Sequence, residues 1–340
     1  MPALTAVMVM LLPAASLVEA AESLPAEKAG SIGPPTGRIA FVREKDIWIM
    51  NADGQNQDKI CAAGNADGRP SWSPDGEEIM FTRSGTVDLK GPDFMGGMHK
   101  VYDLFVASLD SAYANKEYWW LRVTDDLGSR DPDWVSTDQV IFYKDVNANL
   151  ANAEIPNYQL CTVAPDGGSF QVLRKDWANP GGLYLINPTM NAKGDIVCEY
   201  FERGGEGSGQ KGTFNRVGLV LMPAGQYMMP FDSIAAIAKR NAGLVAPGWS
   251  PDGKWLAFVN NNMDDGGLYI GTPDLKQKYL VTSAPVGTYI NPMRPSFSPD
   301  SKWITFSTQD GSIWIVDITG NGTRRLTGPG MDSAPAWSKQ

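Results

Sequence analysis

The sequence has one histidine, His99, in 340 residues. A zinc site built from several imidazoles is therefore excluded, and histidine catalysis has a single candidate. Cysteine is almost as scarce: Cys61, Cys161 and Cys198 lie far apart, with no Cys-x-x-Cys pair. Thiol–disulfide chemistry and c-type haem attachment thus have no framework. The odd count leaves at least one thiol unpaired per monomer, and all three fall in strand-like runs, where a thiol acts as a small buried hydrophobe. Positive charge is in deficit, with 29 Lys and Arg against 38 Asp and Glu, a net charge of −9 and a pI near 4.8. A nucleic-acid groove or an anionic-membrane patch needs clustered positive charge, so neither is expected. A hydrophobic content of 43% with 20% charged residues suits a packed chain, not a disordered one.

Long apolar runs are absent, with one exception. Residues 3–18 (ALTAVMVMLLPAASLV) are uncharged, broken by Pro13, and followed by the small-residue pattern Val18-Glu19-Ala20. This predicts a signal peptide over residues 1–20, cut after Ala20, although no Lys or Arg precedes it; an uncleaved anchor is the alternative. No second run is long enough to span a membrane. Export implies a periplasmic or otherwise oxidising compartment. Residues 21–37 (AESLPAEKAGSIGPPTG) are small and rich in Pro and Gly, which predicts a flexible linker.

Turn residues are in excess. The chain has 36 Gly and 24 Pro, about 18% of its length against roughly 12% in average chains. Much of the excess lies in one recurring phrase. It reads Pro70-Ser71-Trp72-Ser73-Pro74-Asp75-Gly76 and again Pro247-Gly248-Trp249-Ser250-Pro251-Asp252-Gly253, with a near copy at residues 295–301. Degenerate copies begin at Pro132 and Pro188, and Pro335-Ala336-Trp337-Ser338 stands near the C-terminus. Between them runs a second phrase, as in Ile47-Trp48-Ile49-Met50-Asn51-Ala52-Asp53-Gly54 and Ile313-Trp314-Ile315-Val316-Asp317. Each phrase occurs six times, at a period of roughly 40–60 residues, the signature of a repeat architecture.

The physics of one unit is readable. Pro-x-Trp-Ser is a short extended run. In Ser-Pro-Asp-Gly, Pro presets φ and Gly supplies a positive φ, which makes a tight turn. An alternating strand follows, such as Trp255-Leu256-Ala257-Phe258, then the second phrase, then a short fourth strand such as Tyr279-Leu280-Val281-Thr282. Four antiparallel strands repeated radially make a propeller blade. The expected fold is all-β, a six-bladed β-propeller of four-stranded antiparallel blades over residues 38–340. The repeat opens at a second strand (Arg38-Ile39-Ala40-Phe41-Val42) and ends on a first strand (Ala334 to Trp337). The C-terminal strand should therefore join the N-terminal blade and close the ring without a bare sheet edge.

These motifs resemble the repeat of the TolB-like propeller family of bacterial periplasmic proteins. The likeness rests on Pro-x-Trp-Ser-Pro-Asp-Gly followed by Ile-x-Phe, then Ile-Trp/Tyr-x-x-(Asn/Asp)-x-Asp-Gly, then Leu-Thr, and covers about residues 38–340. It implies a six-bladed propeller serving as a binding surface or accessory domain. TolB itself has an α/β domain before its propeller, whereas only residues 21–37 stand between the expected signal and the first strand here.

The first loop of each unit is a minimal turn. The second loops (84–100, 145–156, 202–216 and 260–266) and the inter-blade loops 174–187 and 283–292 are long, and all belong to one face. Variable insertions mark a binding face. The residue before each blade Pro should sit near the channel mouth there: Ala334, Arg69, Asp131, Asn187, Ala246 and Arg294. Arg69 and Arg294 flank the closing blade and could converge on a carboxylate, or else pair locally with Asp67, Asp131 or Asp133. Phe94, Trp177, Tyr184 and Tyr289 are candidate interface anchors in the same loops. The expected role is a non-catalytic exported propeller that binds a protein or peptide partner in the cell envelope as a monomer. The alternative is a propeller enzyme, a lyase or lactonase-type hydrolase, with an oxygen-ligand metal in the channel. No cofactor is expected, unless calcium is held by Asp125, Asp126, Asp145, Asn147, Asn149, Asp264 or Asp265, which lie in the loops of that face. His99 falls in a Gly-containing insertion. Residues 230–241 (PFDSIAAIAKRN) predict a short helix in the fourth blade, capped by Asp232 or Ser233, that covers the sheet edge or docks a partner.

Overall fold

A computed structural model describes residues 22–88, 98–109, 120–148, 157–175, 183–203, 214–261, 266–283, 289–291 and 293–340. One turn of helix, α1 (Ala26–Ala29), precedes β1 (Arg38–Arg43), β2 (Asp46–Asn51) and β3 (Asp58–Cys61). The second blade is β4 (Ala66–Trp72), β5 (Glu78–Asp88), β6 (Met98–Ser108) and β7 (Trp120–Arg122). The third is β8 (Ser129–Ser136), β9 (Gln139–Asp145), β10 (Tyr158–Val163) and β11 (Gln171–Lys175). The fourth has β12 (Leu183–Met190), β13 (Ile196–Arg203) and β14 (Phe214–Met222), followed by helix α2 (Phe231–Arg240). The fifth is β15 (Leu244–Trp249), β16 (Leu256–Asn260), β17 (Gly267–Gly271) and β18 (Lys278–Thr282). The sixth is β19 (Ser296–Phe297), β20 (Trp303–Ser307), β21 (Ile313–Asp317) and β22 (Arg324–Arg325). The final strand, β23 (Asp332–Trp337), pairs antiparallel with β1, so the first blade is β23-β1-β2-β3 and the ring closes as expected.

The closure is held by more than the ladder. Ile39 faces Trp337 and Ala40 faces Ala336 in register. Arg43 makes a bidentate pair with Asp332, 2.6 and 2.7 Å. Trp72 Nε1 of the second blade donates to the Ala336 carbonyl at 2.9 Å, and the Trp337 amide donates to Ser296 Oγ of the sixth at 2.9 Å. The closing strand thus bonds to both neighbouring blades.

The repeated turn uses its own side chains. Ser73 Oγ donates to Asp75 Oδ1 (2.5 Å) while accepting from the Glu78 amide (2.9 Å). Ser250 with Asp252, and Ser298 with Asp300, repeat the first bond. Gly76 and Gly253 close the turn at φ near +70°, and Ser301 takes the equivalent position at +60°. The blade interiors are continuously apolar because each sheet is covered on both faces by its neighbours. Ile39-Ala40-Phe41-Val42 and Ile79-Met80-Phe81 are wholly buried. Trp72, Trp134 and Trp337 are buried between blades, whereas Trp48, Trp249, Trp255 and Trp314 are half-buried. Cys61, Cys161 and Cys198 are buried and unpaired with one another, and burial pushes the Cys61 and Cys161 thiols up to about 12.

Three local expectations change. Residues 22–37 are not a free linker. Leu24 and Ala29 are buried in the core shared by the fifth and sixth blades, Lys28 Nζ reaches Tyr279 Oη (2.6 Å), and Trp303 Nε1 donates to the Gly33 carbonyl (2.9 Å). The segment is a strap across those blades. The second loop of the second blade is shorter than its composition suggests, because β5 and β6 continue as a ladder to Asp88 and Met98, with His99 opposite Val87. The helix forms as expected, with Ile234, Ala235 and Ala238 buried, but Pro230 stands at its N-cap and neither Asp232 nor Ser233 caps it. It lies over the edge of β14, where Gly218 leaves room for its C-terminus: a Cβ there would meet the carbonyl oxygens of Ala238 and Asn241.

Candidate functional site

The inner strand of each blade runs from the long-loop face down to the Ser-Pro-Asp-Gly turns, and in all but the sixth blade a bulge interrupts its pairing beside the blade Pro. The register shifts between Asp67 and Ser71, Arg130 and Asp133, Ile186 and Thr189, and Val245 and Gly248. The cause is a left-handed residue immediately before the Pro: Asp131, Asn187, Ala246 and Ala334 have φ between +49° and +57°. In the second blade Gly68 (φ +70°) takes this conformation one residue earlier. Bulges re-aim side chains, and here they turn the pre-proline residues toward the axis.

Four of them meet at the upper end of the channel. Arg69, Asp131, Asn187 and Arg294 line a cavity of about 210 Å³ together with Asp67, Arg130, Tyr143 and Met293. A second cavity of about 250 Å³ opens toward the turn face, among Thr189, Trp249, Trp337 and Lys339. Arg69 borders both.

A charged layer separates the two cavities. Asp133 is its centre. It accepts from Arg69 Nη2 (3.0 Å), Ser71 Oγ (3.2 Å) and Thr189 Oγ1 (2.5 Å), and Arg294 Nη1 stands 3.6 Å away. Lys339 Nζ donates to the Trp134 carbonyl beside it. Burial alone would raise the Asp133 carboxyl, but Arg294, Lys339 and Arg69, with the Thr189 hydroxyl, hold it below its ordinary value. Burial, and then the neighbouring Arg294, pull the Arg69 guanidinium below the usual arginine value. Lys339 is likewise lowered, by burial first, with Arg69 and Arg294 adding to it against the pull of Asp133. The Arg294 side chain is only 4% exposed; its Nη2 donates to the Pro188 carbonyl (2.8 Å).

Arg69 and Arg294 therefore do converge, and on Asp133 of the chain itself. Asp131 crowds Gly68 and accepts a hydrogen bond from Tyr143, whose hydroxyl is raised well above its usual value by burial and by that carboxylate. Asn187 Nδ2 donates to Glu199 (2.7 Å), which also accepts from the Ala246 amide (2.8 Å). Tyr289 is 71% exposed on the long-loop face. Tyr184 is a correction: it is 3% exposed, stacked edge-on against Tyr158, because β12 begins earlier than the loop assignment allowed. Phe94 and Trp177 lie outside the described residues.

Asp133, Thr189 and Ser71 were not singled out as channel residues, yet all occupy the x of Pro-x-Trp, two residues beyond the pre-proline position and thus on its side of the strand. Lys339, Arg130 and Tyr143 carry no comparable repeat signal.

The loop carboxylates considered for calcium are engaged in local structure. Asp125 pairs with Arg122 (2.6 Å), Asp126 with Lys144 (3.0 Å), and Asp145 accepts from the Asn147 and Asn157 amides. Among the described residues no three His, Cys, Asp or Glu side chains converge as a ligand set. Asn149, Asp264 and Asp265 lie outside the described residues.

The fold defines the class, a six-bladed β-propeller with a ring closed between its two ends. No protein-family model matches the chain, and no curated protein matches it in sequence. Solved structures do match in fold. TolB from Acinetobacter baumannii superposes with a TM-score of 0.57 at 14% identity, covering 90% of this chain and 67% of that one. A TolB-type protein from Agrobacterium tumefaciens gives 0.50 at 12% identity over 87% and 90%. Hydrazine synthase from Kuenenia stuttgartiensis gives 0.56 at 13% identity over 89% and 47%. The chain thus shares its propeller fold with the TolB structures.

Proposed function

We propose that the protein is a non-catalytic, exported propeller that binds a protein or peptide partner in the cell envelope through its long-loop face and channel mouth. The observation that carries this reading is the asymmetry of the channel. Its upper end is a charged cavity lined by four pre-proline residues, and Tyr289 of a long inter-blade loop is exposed. The opposite end opens among short, self-bonded Ser-Pro-Asp-Gly turns and lacks long loops that could wrap a partner. Pockets at propeller mouths with aromatic rims suit peptide segments, because aromatic side chains supply most of the contact energy in such interfaces. The apolar segment before residue 21 supports export, and no described helix is long and apolar enough to cross a membrane. A photo-crosslinker placed at Tyr289 should capture a discrete partner in cells, whereas one at Lys254 on the turn face should not. Equal capture from both positions, or capture from Lys254 alone, refutes this assignment of the binding face.

A further inference from the structure

The layer around Asp133 is short of hydrogen-bond acceptors. Arg69 and Arg294 share Asp133 between them, Arg130 has Asp131 and Asp145 near it, and Asp67 at the rim is taken by Lys100 (2.8 Å). The deficit has an address. Arg69 Nε and Arg294 Nη1 are buried nitrogens with no hydrogen-bond acceptor. At 3.6 Å, Arg294 Nη1 is too far from Asp133 for a hydrogen bond. Arg130 adds a third guanidinium to the cavity wall, held 3.8 Å from the face of Tyr102 and 5.9 Å from that of Tyr143.

We propose that the upper cavity is a carboxylate pocket in which Arg294 and Arg69 donate to the bound oxygens and Arg130 supplies a further positive charge. The inference rests on the binding reading above and gives its ligand a chemistry. Guanidinium groups match the planar carboxylate. Asp133 shows the mode within the chain, a carboxylate bracketed by arginines and hydroxyls. Asp131 in the same wall repels a phosphate dianion more strongly than a carboxylate monoanion. The volume, about 210 Å³, corresponds to about seven water molecules at ~30 Å³ each, enough for an acidic side chain or a chain end.

The test uses the full chain at low ionic strength, with binding followed calorimetrically. The probes are acetate, N-acetyl-Gly-Gly with a free C-terminus and N-acetyl-glutamate amide, each against its uncharged amide. The acids should bind at least about tenfold more tightly than the amides, and Arg294→Gln should remove about that factor, the loss expected for a charge-assisted hydrogen bond. The tightest of the three acids identifies a free acid, a chain end or a side chain as the source. Equal binding of acids and amides, or no binding of any acid, overturns the pocket, and this comparison needs no variant. Unchanged acid affinity in folded Arg294→Gln overturns it as well. Partner capture at Tyr289 with no acid binding removes the pocket and leaves the binding face; acid binding without capture does the reverse.

Discussion

Replacing Asp133 by Asn keeps its shape and removes the carboxylate charge that Arg69 and Arg294 both approach. Two buried guanidinium groups would then face a neutral amide. Breaking a buried pair in this way costs about 3–5 kcal/mol, and a lowered denaturation midpoint should report it. The same carboxylate has a pH signature. Its folded-state value is depressed, so its contribution is complete above the unfolded value near pH 4 and is lost as pH falls through the lower folded value. Between about pH 5 and pH 2 the stability of the unmodified chain should fall more steeply than that of Asp133→Asn. Parallel curves would show that the charge is not coupled to folding.

At the scale of single elements, α2 takes the place of a fourth outer strand, and Gly218 sets its height above β14. Gly218→Ala would drive a methyl group into the last turn of the helix. A loss of about 1–3 kcal/mol is expected for such overpacking, with hydrogen exchange accelerated across residues 231–240. Unaltered exchange there would mean that the helix is not seated on β14. The strands and turns of this protein were legible in the sequence because their causes are local: Pro, Asp and Gly at fixed offsets, and apolar runs between them. The helix was legible from its apolar spacing, though its seat was not. The strap at residues 22–37 was illegible for a physical reason. Pro and Gly suit a linker and a docked segment alike, and the deciding contacts, Leu24 and Ala29 against the fifth and sixth blades, are some 250 residues away in sequence. The channel was half legible. The pre-proline rule found Arg69, Asp131, Asn187 and Arg294, but the convergence of Asp133 and Lys339 arises only when six blades are arranged about one axis. Tyr184 looked like a loop residue because nothing local distinguishes a strand that starts early from a loop that ends late.

At the scale of the molecule, the ring depends on β23. Removing residues 331–340 takes away Ala334, Ala336 and Trp337, all buried, together with Lys339 from the channel. The exposed edge of β1 and the two unsealed neighbouring blades should lower the melting temperature of the whole domain, or prevent folding, since typical domains have only about 5–15 kcal/mol in reserve. An unchanged melting temperature would contradict the closure. A clasp of this kind also governs time. The first blade cannot separate from the sixth until β23 has left β1, so its release is expected to gate unfolding. Consider a chain reopened at Gly64 in the connection between the first two blades, with Gln340 joined to Glu22 by a flexible Gly-Ser linker. All six blades would survive, but each would be built from consecutive sequence. Such a permutant should retain the far-ultraviolet spectrum of the native chain yet lose its native signal markedly faster in denaturant: the same ring, with a shorter lifetime.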